Sequence, residues 1–236
     1  MAILRLINRV LVLPTLGFGL GVGTFIRAWP NEGSGLTLGD DDAGRFQRRD
    51  VLKKIENLSQ FKRLSADGSY VKTLQSDGIP AAHRPNCVGQ GILFGYNKLE
   101  IDPIILKSEE KGEIVVFYHL GKDLGNENGK VHKGILSLLL DEALCYCGFP
   151  TLPSKRGVTA KLDIHFDNDI PADSTIVLKA HVTQSRGRKC IIDGTLESVP
   201  SNPVTSLVMG PTTYARAQCI LVEPKWFRIF SRVDLF

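Results

Sequence analysis

The sequence lacks the features of several functional classes. It has no dense block of Lys and Arg with interleaved aromatic residues, and its formal net charge is only +4, so a nucleic-acid partner is not expected. Its five cysteines are scattered, with no CxxC pair and no histidines at zinc-finger spacing. This pattern favours reduced core thiols and predicts no metal site. At 236 residues and 43% hydrophobic content, the chain has the composition of an ordinary globular domain with appendages.

The first 30 residues lack Asp and Glu altogether but contain three arginines, Arg5, Arg9 and Arg27. An uncharged, Gly-rich apolar run covers residues 10–26. The composition is typical of a mitochondrial targeting segment, and the run is also compatible with a short membrane anchor. A secretory signal fits less well, because no small-x-small cleavage site follows the run. Removal and retention as a single N-terminal helix both stay open, and both predict a mitochondrial protein.

Composition and periodicity divide the chain into five parts. An Asp- and Gly-rich stretch reads as a linker. Apolar residues at helical spacing from Val51 to Leu64 predict an amphipathic helix, and a long loop follows it. The parts are a targeting or anchor segment (1–30), a linker (31–45), the amphipathic helix with its loop (46–87), the main domain (88–225) and a C-terminal tail (226–236).

The main domain alternates short strand-like segments with one long apolar helix. The helix is predicted over residues 133–148. The connections between strands are too short for parallel crossovers, so the pattern predicts an α+β fold with an antiparallel sheet. The predicted strands cover residues 91–94, 99–106, 113–120, 157–166, 175–184, 189–198 and 212–222.

The predicted helix is apolar around most of its circumference, yet Asp141 and Glu142 sit side by side in its middle. A buried, unpartnered carboxylate is so costly that it shifts its pKa or acquires dedicated hydrogen bonds. One of the two is therefore a candidate functional group. The alternative, in which both occupy a narrow solvent-facing stripe or pair with buried bases, stays open on the helix pattern alone.

The start of this helix offers hydrogen-bond donors. His132 and Gly134 lie where free backbone N–H groups and the positive end of the helix dipole can stabilise a negative oxygen. A thioester carbonyl that becomes an oxyanion needs such preorganised donors. A carboxylate two turns further along, beside this amide cradle, suits acyl transfer to water.

Several motifs follow one another in a characteristic order over residues 88–225. This set resembles the hotdog-fold acyl-CoA thioesterases of the phenylacetate-pathway (PaaI-like) type, in particular poorly characterised fungal mitochondrial members of that superfamily. The resemblance implies a hotdog fold, with a long central helix wrapped by a curved antiparallel sheet. It also implies a homodimer or dimer of dimers with active sites between subunits. The motifs are Asn126-x-x-Gly129-x-x-His132-x-Gly134, Leu138-Leu139-Leu140-Asp141-Glu142-Ala143, Gly157-Val158-Thr159-Ala160 and Arg186-Gly187-Arg188-Lys189.

The resemblance also implies roles for single residues, with Glu142 as a second candidate for the carboxylate. Asp141 is implied as the general base or nucleophile, and Thr159 as a hydroxyl that the partner subunit directs toward this carboxylate. The backbone amides of Lys133 and Gly134 are implied as oxyanion donors. Asn126 is implied to place water or the carbonyl, and His132 to support the loop.

Lys133 departs from the family pattern, which has glycine between the histidine and Gly134. Its amide can still donate, so the change predicts altered substrate fit more than loss of the oxyanion site. Three basic residues at a predicted strand end, Arg186, Arg188 and Lys189, are candidates for binding the phosphates of CoA.

The sequence therefore predicts hydrolysis of acyl-CoA thioesters to a free acid and CoA, without a cofactor. The hydratase branch of the superfamily fits poorly, because Gly129 and Lys130 stand where its motif has Asn and Pro. A second function stays open: a non-catalytic acyl-CoA or lipid-binding module, tethered to a mitochondrial membrane through residues 10–26.

Overall fold

The computed structural model describes residues 12–19, 47–79, 81–199 and 210–225. The predicted linker and C-terminal tail lie outside these ranges. Of the predicted targeting or anchor segment, only 12–19 are described, and residues 13–19 are helical and exposed. Within the described ranges, no helix has both the length and the apolar character needed to cross a membrane.

Seven strands form one antiparallel sheet in the order β1-β2-β3-β5-β6-β7-β4. The long helix α3, Lys133–Gly148, follows β3 in the chain, and the next strand, β4, lies at the far edge of the sheet. The strands are β1 (Val71–Leu74), β2 (Ile104–Ser108), β3 (Glu113–Leu120), β4 (Val158–Phe166), β5 (Ser174–Arg186), β6 (Lys189–Ser198) and β7 (Thr213–Val222).

The larger core lies between α3 and the inner face of the sheet. Leu139, Leu140 and Leu144 are fully buried there. Two glycines allow close contact, since a Cβ at Gly148 or Gly194 would come within 2.7 Å of neighbouring core side chains. An apolar helix enclosed by a long antiparallel sheet is the hotdog arrangement, and the predicted fold class is confirmed.

A second core covers part of the outer sheet face. Helices α1 (Arg49–Asn57) and α2 (Ser59–Ala66) pack apolar side chains against β2, β3 and β5. The rings of Phe61 and Phe117 meet edge to face, with centroids 5.6 Å apart. The segment that precedes the main domain therefore adds two helices and strand β1 to the same sheet.

A partly buried ion-pair network fixes the start of α1 to the sheet. Arg48 Nη1 lies 2.8 Å from Glu100 Oε2, 2.7 Å from Asp173 Oδ1 and 3.0 Å from His119 Nε2. Hydrogen bonds to Asp50, Glu100 and Asp173 raise the pKa of Arg48, while burial lowers that of His119. The guanidinium thus neutralises Glu100, whose side chain is only 3% exposed.

Four details differ from the sequence predictions. The amphipathic helix is two helices, because Leu58 has an extended conformation between them. The predicted loop contains β1, whose four residues pair with β2. Residues 91–94 are not a strand, since a helical turn runs from Val88 to Ile92. The strand predicted over 99–106 begins only after Pro103, which has no N–H for the ladder.

Replacing Phe61 with Ala tests whether α2 is an integral part of the fold. Phe61 is 6% exposed, so we expect a loss of about 3 kcal/mol in the free energy of unfolding, measured by urea denaturation. Lys53→Ala, at an exposed position on α1, is the matched control and should change it by less than about 0.5 kcal/mol. A loss below about 1 kcal/mol for F61A would mean that α2 contributes little to the cooperative unit.

Candidate active site

Asp141 lies in the middle of α3 with its carboxylate in contact with β4. Thr159 Oγ1 donates to Asp141 Oδ1 at 2.9 Å. No donor among the described residues contacts the other oxygen, Oδ2, and Asp141 is half-buried. The contact joins two residues of one chain, and the expectation that a partner subunit directs the hydroxyl toward the carboxylate stays a prediction.

A β-bulge turns Thr159 toward the helix. Thr159 pairs with Leu221 and Lys161 with Ile220, so Ala160 is the extra residue in β4. Without it, Thr159 would share the outward face with Lys161, since side chains alternate along a strand. The bulge instead places Thr159 on the same face as the buried Leu221.

An incompletely covered stripe runs along α3 through Asp141. Gly134, Leu138, Asp141 and Cys145 follow at spacings of three or four residues, and each is exposed or half-buried. Residues at this spacing share one face of a helix. The carboxylate therefore opens onto a surface that the sheet leaves partly uncovered.

Two thiols lie beside the carboxylate. Cys145 Sγ is 3.2 Å from Thr159 Oγ1 and 4.0 Å from Asp141 Oδ1. The second thiol, Cys219 on β7, is fully buried. The hydrogen bond between the thiols lowers the pKa of Cys145 and raises that of Cys219.

Glu142 lines a cavity of about 300 Å³ between α3, the inner face of β2 and β3, and the segment that contains Gln75, and Asp141 and Cys145 line the same cavity. Gln75 Nε2 donates to Glu142 Oε2 at 2.9 Å. A buried hydrogen-bonded network continues through Gln90 to Asp102. Burial raises the pKa of Glu142, Asp141 adds repulsion, and the bond from Gln75 acts in the opposite sense.

The start of α3 offers one free donor. His132 caps the helix, because its Nδ1 accepts from the Gly134 amide at 3.1 Å. The Gly134 amide is thus engaged locally. The amide of Lys133 donates to no group in the described part of the chain, so of the two amides it is the one left free to donate to a ligand.

Hydrogen bonds within the loop before the helix hold Asn126 and His132 in place. Asn126 Oδ1 accepts from the amides of Asn128 and Lys130, and the amide of His132 donates to Leu124 O at 3.0 Å. The Asn126 side chain is therefore held by its own loop, with its amide nitrogen left to reach outward.

The side chain of Lys133 leans toward the end of β4. Its Nζ lies 5.3 Å from the centre of the Phe166 ring and 4.0 Å from Asp169 Oδ1, and the side chain is 59% exposed. The backbone amide of Lys133 is therefore not covered by a buried side chain.

One chain does not bring the two halves of the predicted site together. Lys133 and Asp141 are eight residues apart on a single α-helix, and a rise of 1.5 Å per residue separates them by about 12 Å. The helix-start group (Asn126, His132, Lys133 and Gly134) is therefore remote from the Asp141–Thr159 pair. No single thioester carbon can contact both within one chain.

The basic residues predicted to bind phosphate lie in the β5–β6 hairpin. Lys189 pairs with Val222, which also pairs with Val158. Two strand spacings therefore separate this hairpin from the first residue of β4, about 10 Å. Arg186 and Lys189 are exposed, whereas Arg188 is occupied by a 3.1 Å hydrogen bond to Glu223 O.

Sequence reasoning missed the thiols and the network behind Glu142. The spacing of Asp141 and Cys145, one helical turn, was the available signal for the first thiol. Cys219, Gln75 and Gln90 approach only through the tertiary fold, and the sequence contains no local pattern that indicates them.

No family model matches the sequence. The chain is similar to MIOREX complex component 3 of Saccharomyces cerevisiae, with 47% identity over 98% of this chain and 97% of that protein. It is 41% identical to an uncharacterized mitochondrial protein of Candida albicans, over 92% of this chain and 94% of that protein. Acyl-coenzyme A thioesterase THEM4 of Bos taurus is 26% identical over 66% of this chain and 64% of its own length.

Solved structures align with about half of the chain. The Escherichia coli PaaI protein from the phenylacetic acid degradation operon has 19% identity and a TM-score of 0.40, covering 51% of this chain and 78% of that one. Thioesterase superfamily member 2 from Mus musculus has 17% identity and a TM-score of 0.40, covering 51% and 88%. At these scores, the fold assignment rests on the strand order and the central helix described above.

Replacing Glu142 with Gln tests whether its burial is costly. Because the pKa of Glu142 is higher in the folded than in the unfolded chain, the folded state binds this proton more tightly. The wild-type contribution is therefore fully present below the unfolded pKa, about 4.3, and is lost as pH rises through the folded pKa. Gln removes this titration, so E142Q should gain stability relative to the wild type as pH is raised from about 4 to about 7.

The measurement is urea denaturation of both proteins at the two pH values. Glu110→Gln is the control, since Glu110 is exposed and its replacement should give no comparable relative gain. A difference between E142Q and the wild type that is the same at both pH values would contradict a costly buried carboxylate.

Proposed function

Because the chain belongs to the hotdog-fold thioesterase superfamily, in the family that includes yeast MIOREX complex component 3, we propose that it hydrolyses acyl-CoA thioesters to a free acid and CoA. The main support is the contact between Thr159 and Asp141 on the uncovered stripe of an apolar helix. The similarity to an acyl-coenzyme A thioesterase of Bos taurus agrees with this activity. Acyl-CoA is the proposed ligand, and no cofactor is required.

Asp141 acts as the general base in this proposal. Its Oδ1 is oriented by Thr159, and Oδ2 is available to a water molecule. The carboxylate takes a proton from water while the water oxygen attacks the thioester carbon. The resulting oxyanion then collapses and releases the CoA thiolate, which takes the proton back from Asp141. Direct attack by the carboxylate, giving a mixed anhydride that water then hydrolyses, would use the same residue.

The amide of Lys133 is the proposed oxyanion donor. It is the first N–H of α3, it has no partner in the described residues, and the helix dipole adds positive potential there. His132 holds the turn by capping Gly134, and the free Asn126 amide is placed to orient water or the carbonyl. Arg186 and Lys189 are the proposed contacts for the CoA phosphates, with Arg188 bracing the hairpin.

We propose a homodimer in which the two halves of the site come from different chains. Within one chain the Lys133 amide lies about 12 Å from Asp141. If the start of α3 in a second copy packs against the middle of α3 in the first, the Lys133 amide of one chain lies beside Asp141 of the other. Strand β4 supports this arrangement, since it is a nine-residue edge strand with Val158 45% exposed. Edges of this length are usually paired or protected. A dimer of dimers extends the same arrangement.

The proposed location is the mitochondrion. The acid-free, Arg-containing N-terminal segment supports it, and so does the similarity to a Candida albicans protein that is called mitochondrial. Anchoring through residues 10–26 and the five-part division of the chain are further parts of this proposal.

The first test is Asp141→Asn in the full chain, with release of free CoA thiol measured over a panel of acyl-CoAs. Loss of a positioned base should lower kcat at least about 100-fold. Glu56→Gln, an exposed carboxylate on α1, is the control and should leave the rate unchanged. If the wild type and D141N release thiol at the same slow rate while binding acyl-CoA, the protein is a binding module and not a thioesterase.

Lys133→Pro tests the oxyanion donor, since proline has no backbone N–H. Proline is well tolerated as the first residue of a helix, and His132 already has the extended conformation that precedes proline, with φ −66° and ψ 129°. We expect kcat to fall about 100- to 1,000-fold. Lys133→Ala keeps the amide and is the matched control, so an equal fall in K133A would point to the side chain instead.

Mixing the two defects tests the shared site. Chains with D141N and chains with K133P, given different affinity tags and co-expressed, form heterodimers with one complete site each. Such heterodimers should regain about half of the wild-type rate, since the two-fold axis creates two sites. If they stay as inactive as either parent homodimer, the amide and the carboxylate do not act together across an interface.

A further inference from the structure

Two groups of ligand-type side chains have donor atoms that all lie within 4.8 Å of one another in the described residues. The first consists of Glu100, His119 and Asp173. The guanidinium of Arg48 already contacts all three, at 2.7 to 3.0 Å. A positive charge therefore occupies this group, and it offers no room for a cation.

The second group consists of Asp141, Cys145 and Cys219, and no cationic side chain of the described residues contacts it. Two of its members are thiols that the proposed hydrolysis does not use. A fourth ligand-type group is the hydroxyl of Thr159, 2.9 Å from Asp141 Oδ1 and 3.2 Å from Cys145 Sγ. Four atoms that can ligate a metal thus converge at one point.

The positions of these atoms are fixed by regular elements. Asp141 and Cys145 project from the same face of α3, one turn apart, which is a spacing that pairs of metal ligands on helices use. Cys219 lies on β7 and Thr159 on the neighbouring β4. Ligands on packed helices and strands lose little further conformational entropy when a metal binds.

The chemistry of this donor set favours zinc. Zn²⁺ takes four ligands at about 2.0 to 2.3 Å, so neighbouring ligand atoms of a tetrahedral site lie roughly 3.5 to 3.8 Å apart. The 4.0 Å between Cys145 Sγ and Asp141 Oδ1 is close to that separation. Two thiolates with one carboxylate select a borderline-soft ion over Mg²⁺ or Ca²⁺, which prefer oxygen ligands alone.

We propose that Asp141, Cys145 and Cys219 bind one Zn²⁺ ion per chain, with the Thr159 hydroxyl or a water molecule in the fourth position. Binding releases the protons of the two thiols to solvent. No local zinc motif indicates this site, because Cys219 joins the other ligands only through the fold. Cys145 and Cys147 lie on different faces of α3, and the zinc site uses only Cys145.

The consequence for activity rests on the proposed function. Zinc bound at Oδ1, the oxygen that Thr159 contacts, withdraws negative charge from the whole Asp141 carboxylate. Oδ2, the proposed proton acceptor, becomes a weaker base, so the ion inhibits hydrolysis. Removal of the ion by a chelator restores the base.

Binding is tested with Co²⁺ as a spectroscopic substitute for zinc in the full, reduced, metal-free chain. We expect a thiolate-to-cobalt charge-transfer band that saturates at one equivalent and disappears on addition of Zn²⁺. Cys145→Ala and Cys219→Ala should each weaken or abolish the band, whereas Cys190→Ala, a buried thiol on β6, should keep it. Absence of the band in the wild type, or a full band in C145A, overturns the site.

A second measurement uses the wild-type chain alone and needs no variant. The alkylation rate of Cys145 in the wild-type chain, followed by mass spectrometry of its peptide, should fall at least about tenfold when Zn²⁺ is added, since a metal-bound thiolate is a poorer nucleophile. The thiol of Cys87, which is half-buried, should react at an unchanged rate. An unchanged rate at Cys145 also overturns the site.

Activity forms a separate arm. Zinc should inhibit thiol release by the wild type, with recovery on chelation, and should inhibit C145A less. A cobalt band in a protein that hydrolyses no acyl-CoA leaves the zinc site standing and rejects the thioesterase. Hydrolysis that zinc does not affect, without a cobalt band, rejects the zinc site and leaves the thioesterase standing.

Discussion

Helix α3 is apolar around most of its circumference, so nearly every side of it must be buried, and the sheet curves around it. Its leucines need cover on nearly every side, and the sheet supplies most of it, aided by the absence of side chains at Gly148 and Gly194. The cover is incomplete along one stripe, and Asp141 lies on that stripe. Charge is tolerated there because water or a second chain can reach it, whereas on the opposite face it would have no partner. The packing of the core therefore fixes where the candidate site opens.

Two adjacent carboxylates have different environments as a result of helical geometry. Successive residues are rotated by about 100° around a helix axis. Asp141 consequently bonds to Thr159 and Glu142 bonds to Gln75, although both carboxylates line the same cavity. In many enzymes, two neighbouring acids have different acid–base roles because their environments separate their pKa values. The alternative of one shared solvent-facing stripe does not hold, because Glu142 belongs to a buried network.

The sequence predicted what local periodicity determines. The bounds of α3 and β3 followed from uninterrupted apolar patterns, and Asp141 stood out because a charge interrupts one of them. The orientation of Thr159 could not be predicted, since it depends on a one-residue bulge at Ala160 that has no local sequence signal. Strand β1 was missed for a related reason. Four residues without alternation form a strand only because β2 offers an edge to pair with.

From the sequence, the amide cradle is expected to lie beside the carboxylate. A straight helix instead keeps the two about 12 Å apart. Two antiparallel copies of α3 resolve this conflict in one specific way. If the Lys133 amide of one chain meets Asp141 of the other, a two-fold axis passes near the midpoint of these positions, Ser137. Ser137 suits such a crossing, because it is small and its hydroxyl is already satisfied by Lys133 O at 3.0 Å. Gly134, one turn earlier, likewise allows close approach, so the stripe that exposes the carboxylate has the small residues that a helix-to-helix contact needs.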